Sequence, residues 1–217
     1  RAAVGQQHYI GPPAACTAPS RFPHGPGGAG IRRTTRRGRV VRSQRLWSPS
    51  GASTKALEDG PLEASGAVET VFAPRVATSA QELAEQNDAL LIALPGYGHK
   101  AVFDALAPHI RDGQHVIISS HASLGAIYLM QKLAERGVDA AITAWGTTVV
   151  TGRRGEGTGV KVNTVRKKVD LCTVPETRSD CALAVCTKLF GDVFVPREGL
   201  LAISLSNLNP QNHLGIA

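Results

Sequence analysis

Three clusters of residues in this chain are equipped for chemistry. The block from Ser204 to Ala217 reads SLSNLNPQNHLGIA and sets Asn207, Asn209, Gln211, Asn212 and His213 within seven residues of an apolar, helical context. Buried amides need partners, and a bound carboxylate or amino group can be one. An imidazole among them can move a proton near neutral pH. The plainer reading is a helix–helix junction whose amides cap the ends. The second cluster is Pro95-Gly96-Tyr97-Gly98-His99, and the third is Ser119-Ser120-His121. Both combine small, polar and proton-carrying side chains, and both follow a short apolar run.

Those runs are the elements that must position them. ALLIALP (Ala89 to Pro95) and HVIISS (His115 to Ser120) are short and unbroken, as suits strands buried on both faces of a parallel sheet. Between them Val102, Leu106 and Ile110 fall at helical spacing, so the crossover is a helix. A parallel βαβ unit takes its ligand outside the carboxyl ends of its strands. Pro95, Gly96, Tyr97, His99 and Ser120 are therefore the expected contacts of a dinucleotide cofactor. For His99, contact with ligand or cofactor stands beside a helix-terminal residue satisfied by solvent. His121 is expected to be structural, or one step removed from the ligand.

The flanking chain completes an α/β pattern. Arg45-Leu46-Trp47 reads as the end of a second strand, where an acidic residue would hold the ribose 2′-hydroxyl of NAD. The chain has Ser48 there, with Ser50, Thr54 and Lys55 close by. Hydroxyls and a cation accept a 2′-phosphate, which favours NADP over NAD; the alternative is a plain Ser-Pro-Gly turn. Residues 71–77 read as extended. Thr78-Ser79 cap a helix, with Glu82 at capping-box spacing. Ser123 is the expected cap of a helix that buries Leu124, Ile127, Leu129 and Leu133 and stops at Gly137. Ala140 to Ala144 is a further strand. Thr147 to Thr151, Gly159 to Thr164 and Val169 to Val174 read as antiparallel strands closing the sheet. Pro175-Glu176-Thr177 opens a helix to Phe190, Asp192 to Val195 is a last strand, and the chain turns helical from Gly199.

Length and charge set limits. The 217 residues suffice for one domain and part of a second. No apolar run approaches the roughly 18 residues of a membrane span, and no secretory signal is visible. The chain starts at Arg1 rather than Met, which suggests a fragment. The net charge of +7 is unevenly spread. Residues 1–45 hold nine Arg and no Lys, Asp or Glu, whereas the remainder holds 15 basic and 17 acidic residues. The folded part is thus near neutral, and neither a nucleic-acid partner nor a membrane is expected. Cys16, Cys172, Cys181 and Cys186 form no CxxC pair or zinc spacing. Cys181 and Cys186 are expected to be buried thiols, as in a reducing cytoplasm without a disulfide framework.

Residues 1–45 show no apolar periodicity. Gly25-Pro26-Gly27-Gly28-Ala29-Gly30 fits GxGxxG, but SRFPH precedes it and IRRTTRRGR follows, where a strand and an amphipathic helix belong. A phosphate loop and a low-complexity coincidence both stay open.

From about Leu46 to Ala217 the chain resembles the opine dehydrogenases. The resemblance rests on LWSPSG, LLIALPGYGH, HVIISSHASLG, the GTTVVTGRR and VKVNTV stretches and, most specifically, SLSNLNPQNH. It implies a Rossmann-like dinucleotide-binding domain over 46–198, mostly parallel with antiparallel strands added late. The start of an all-helical second domain follows over 199–217, and 1–45 stand apart as atypical. It also implies His213 as catalytic acid/base, with Asn207 and Asn209 binding substrate. The implied reaction is a reductive condensation of an amino acid with a 2-keto acid, using NADP or NAD. Two departures are the scrambled glycine fingerprint and the end at Ala217, before the family's Asp partner of the His. Two alternatives remain: a keto-acid or glycerol-phosphate type reductase on the same cofactor domain, and a non-catalytic remnant of that domain. A homodimer is left open.

Overall fold

The computed structural model describes residues 45–47, 60–120 and 124–206. Its main sheet has five strands. Strands β5 (Ala89–Ile92), β6 (His115–Ile118) and β7 (Ala141–Trp145) run parallel in that order. The sheet then turns antiparallel at β10 (Val169–Val174), and β11 (Phe194–Pro196) lies parallel to β10 at the edge. All four residues of β6 are buried, the sign of a central strand covered on both faces.

The pleat divides the core in two. Leu90, Ile92, Val116, Ile118 and Ile142 face one helical layer: α1 (Ala80–Glu85), α2 (His99–Leu106), α3 (Gly125–Glu135) and α5 (Leu200–Leu205). Phe103 of α2, 1% exposed, sits at the centre of that layer. Its truncation to alanine would cost about 3–5 kcal/mol. Ile117 and Leu171 face the other way, with Trp145, Val169 and Phe194, under Leu183, Leu189 and Phe190 of α4 (Ser179–Phe190).

Local sequence explains the helix starts. Ser79 Oγ accepts the Glu82 amide at 3.1 Å, and the Glu82 carboxylate accepts from the backbone and hydroxyl of Thr78, both at 2.8 Å. The capping box therefore closes, with its return bond one residue before the cap. Helix α2 is shorter than its apolar spacing suggested. It passes into a 3₁₀ turn at Ala107–His109, and Ile110 is buried just beyond. Leu124 takes the cap position of α3 in the left-handed region, φ 64°. Ser123, the expected cap, lies outside the described residues.

Expectations need correction on two counts, strand pairing and cysteine chemistry. Only Val169–Val174 of the three β-rich stretches joins the main sheet. The other two form β8 (Val150–Arg154) and β9 (Gly159–Val165), in a separate four-stranded sheet with β2 (Leu62–Gly66) and β3 (Thr70–Phe72). Parallel pairing of β9 with β2 captures it there. The extended segment 71–77 is also split. β3 ends at Phe72, and β4 (Arg75–Val76), past Pro74, pairs in parallel with β1 (Arg45–Leu46). Second, Cys172 and Cys186 are buried free thiols, but Cys181 is half-buried and disulfide-bonded. The α4 face toward the sheet is Ala182, Val185 and Cys186, which leaves Cys181 to one side.

Candidate functional site

Parallel pairing puts the carboxyl ends of β5, β6 and β7 on one edge. Past β5 the chain forms a 3₁₀ turn at Gly96–Gly98, closed by the Gly98 amide donating to the Pro95 carbonyl at 2.9 Å. Pro95 and Gly96 are exposed, and Tyr97 projects from the surface with 85% of its area free. Past β6, the Ser119 amide donates to the Ile92 carbonyl at 2.9 Å and ties this turn to β5. Ser120 follows with φ 59°. Ser120 and Leu124 are both non-glycine residues at positive φ, a conformation that costs about 1–3 kcal/mol each and persists only where the surroundings impose it. Such strain gathers where a turn is shaped for a ligand.

His99 stands between the two turns, but not in solvent. It is 4% exposed, and its Nε2 donates to the Leu94 carbonyl at 2.9 Å. Burial lowers its pKa and outweighs that bond, so the ring is neutral. Its Nδ1 is buried without a partner among the described residues. A buried acceptor left this way costs about 1–3 kcal/mol. Phe103 packs beside the ring with centroids 5.4 Å apart. Gly125 lets α3 approach: a Cβ there would lie 3.1 Å from Phe103 and 3.6 Å from His99 Nδ1. Sequence reading missed Leu124 and Gly125 as shapers of this edge; the small residue after Leu124 was the available signal.

The helices behind the edge are clamped together. Asp104 of α2 accepts from Tyr128 of α3 at 2.6 Å and pairs with Lys100 at 2.7 Å and Lys132 at 2.9 Å. The Lys100, Tyr128 and Lys132 hydrogen bonds hold the Asp104 carboxyl well below the usual carboxylate range. At the opposite edge, His115 is buried with its Nε2 3.6 Å from Cys181 Sγ. Burial, then the Arg178 charge, lowers its pKa.

Helix α5 leads toward the carboxyl edge. The Gly199 backbone bonds the Cys172 thiol, level with Ala144, while Ile203 lies 3.9 Å from the Cβ position of Gly146, just past β7. The chain therefore leaves α5 at Ser206 on the side of the two turns. Asn207, Asn209 and His213 lie beyond it, outside the described residues, as do Ser48 and His121. The structure thus brings Pro95, Gly96, Tyr97, His99 and Ser120 to one edge. No group of three or more His, Cys, Asp or Glu among the described residues is placed to hold a metal, and no described helix is long and apolar enough to cross a membrane.

No protein-family model matches the chain. A relative among curated proteins is the opine dehydrogenase of Arthrobacter sp. (strain 1C), 26% identical over 171 residues, covering 77% of this chain and 47% of the relative. Among solved structures, octopine dehydrogenase in complex with NADH and pyruvate superposes with a TM-score of 0.58 at 18% identity, over 69% of this chain and 41% of that one. The chain is similar in sequence to an opine dehydrogenase and in fold to octopine dehydrogenase. Yersinopine dehydrogenase with NADP+ bound is similar in fold too, with a TM-score of 0.58 at 14% identity, over 76% of this chain and 44% of its own. The chain spans about half the length of the curated relative it matches. The fold is the Rossmann-type α/β fold of these proteins, mostly parallel with its antiparallel strand late in the chain.

Proposed function

We propose that this protein is an NAD(P)H-dependent oxidoreductase of the opine dehydrogenase type, joining an amino acid to a 2-keto acid by reductive condensation. The observation that carries the reading is the carboxyl edge of β5 and β6 in an opine dehydrogenase-like chain. The exposed Pro95–Tyr97 turn and the positive φ of Ser120 offer backbone to a ligand, and a neutral buried His99 lies under both. These features fit a dinucleotide, with Pro95, Gly96, Tyr97 and Ser120 against it and Ser48 at the ribose. When bound, the dinucleotide supplies hydride.

The other roles rest on the resemblance and on the path of α5. His213 donates the proton that accompanies reduction, and Asn207 and Asn209 hold the substrate's polar groups. On this reading 46–198 form the cofactor domain, 199–217 begin a helical substrate domain, and 1–45 stand outside both. We place the chemistry in the cytoplasm, which the buried thiols of Cys172 and Cys186 support and the Cys181 disulfide does not.

Fluorescence titration with NADPH and NADH, then oxidation assays with pyruvate alone and with pyruvate plus each of a panel of amino acids, test the proposal. Oxidation that depends on the amino acid is expected. Equal rates with the keto acid alone would convert the reading to a simple keto-acid reductase, and failure to bind either dinucleotide would end it.

A further inference from the structure

The sheet edge opposite the two turns holds a side-chain cluster that the proposed reaction does not use. Cys181 is the third residue of α4, at the positive end of that helix's dipole. His115, buried at the start of β6, sets its Nε2 3.6 Å from Cys181 Sγ. Cys181 is disulfide-bonded, and a disulfide sulfur has no hydrogen to give, so Nε2–H donates and Sγ accepts. Arg178, just before α4, brings a guanidinium whose charge is felt at His115 and which pairs with the Asp139 carboxylate. Asp180, in the first turn of α4, is exposed, where water weakens its charge. A helix start, an imidazole N–H and a nearby guanidinium all favour sulfur as the anion, the form that attacks disulfides and leaves from them. Cys181 is also half-buried rather than sealed. Cys172 and Cys186 give the contrast within the same chain. Burial raises the pKa of the first thiol and pushes the second up to about 12, so both stay protonated.

We infer that Cys181 is a thiol–disulfide exchange site, with His115 as its hydrogen-bond donor, that takes small disulfides of the glutathione class. In the reduced protein the Cys181 sulfur anion attacks one sulfur of R–S–S–R. A bond forms between Sγ and that sulfur as the R–S–S–R bond breaks, and the electron pair leaves on RS⁻, which takes a proton from water. The small disulfide is the oxidant. In the reverse direction RS⁻ attacks the sulfur bonded to Cys181, and Sγ leaves as the anion that the His115 N–H receives. A disulfide on such a sulfur is exchangeable, which reconciles it with a reducing compartment. The cluster lies away from the cofactor turns, so the inference does not depend on the opine dehydrogenase reading.

The test begins with protein reduced by a phosphine and freed of reductant. Iodoacetamide is applied between about pH 5 and pH 9, and each cysteine is followed in its own peptide by mass spectrometry. The Cys181 rate should reach half its maximum below about pH 7.5, against about 8.5 for an ordinary thiol. Cys172 and Cys186 should stay unlabelled until urea is added. His115→Phe keeps a ring and removes the N–H. It should slow Cys181 alkylation about tenfold at the acid end of the profile, the effect of a midpoint raised by about one unit. His115→Gln keeps an N–H donor and should restore much of that rate. Oxidised glutathione at neutral pH should place a mixed disulfide on native Cys181, reversed by dithiothreitol, and none on Cys172 or Cys186. A native midpoint at about 8.5 or above would overturn the inference. Equal labelling of Cys172, Cys181 and Cys186, or no mixed disulfide at Cys181, would do the same, as would an unchanged Cys181 rate in folded His115→Phe. If His115→Phe does not fold, the native midpoint and the glutathione reaction decide the matter without it.

Discussion

Ser48 and His213 carry the chemical expectations at the scale of single residues. On the proposed reading Ser48 takes the place at which a carboxylate would select NAD, so NADPH should bind at least as well as NADH. Ser48→Asp should swing the preference to NADH, because a carboxylate repels a 2′-phosphate and accepts from a 2′-hydroxyl. Paired fluorescence titrations would check this, and a strong native preference for NADH would sink it. His213→Ala should lower turnover by about two to four orders of magnitude, the scale of a lost general acid/base, with little change in cofactor affinity. Turnover should also lose an ionisation near neutral pH in the variant. Near-native turnover would reduce His213 to a helix cap. His99 is the residue whose surroundings the sequence concealed. Its place at the head of α2 suggested contact with ligand or solvent, and only the three-dimensional approach of Leu94 and Gly125 buries it.

Among the elements, the seam between the parallel and antiparallel parts of the sheet is the most exacting. Thr143 of β7 and Thr173 of β10 face each other there, both buried, with hydroxyls 3.0 Å apart. Thr143→Val should strand the Thr173 hydroxyl and cost about 1–3 kcal/mol by urea unfolding. The double change to valine at both positions should recover most of that loss, since no buried hydroxyl is then unpaired. Additive losses would show that the pair contributes nothing as a pair. The βαβ unit from Ala89 to Ile118 was legible in sequence because its strands are continuously apolar and its helix keeps its period. The helix start at Ser79 was legible because its cap is local. The second sheet was not. LEASG of β2 alternates Leu62 and Ala64 with Glu63 and Ser65, but it is too short and small to stand out as a strand. β8 and β9 do alternate, but nothing local says that β9 pairs with a strand almost a hundred residues earlier in sequence. The site followed the same rule: its turns could be placed from strand ends, while the strain at Ser120 and Leu124 comes from packing.

For the molecule as a whole, buried histidines at both ends of the parallel strands make stability depend on pH. Burial lowers the pKa of His99 at the carboxyl edge and of His115 at the opposite edge. The folded state therefore holds fewer protons than the unfolded chain once pH falls below about 6.5. The stability that this contributes is complete above that value and is lost as pH falls further. The melting temperature should thus drop between pH 7 and pH 5, and His115→Gln should flatten the slope. An identical slope in the variant would assign acid sensitivity to other groups.

The two tryptophans of the chain lie on opposite faces of the sheet. Trp145 is caged by Phe190 and Phe194, each with its ring centroid 5.0 Å away, and shares its buried cluster with the Cys186 thiol, which burial pushes up to about 12. Trp47 is half-buried against the other helical layer, one residue before Ser48. The protein therefore carries two optical reporters. Trp145 should emit at short wavelength, quenched by its thiol neighbour, and should brighten and shift red only when the α4 face opens. On the proposed reading Trp47 immediately precedes the residue at the ribose, and a bound reduced nicotinamide should quench it by accepting its excitation. With Trp145→Phe, the remaining emission should follow that side alone, so ligand binding and loss of the far face become separable signals in one cuvette.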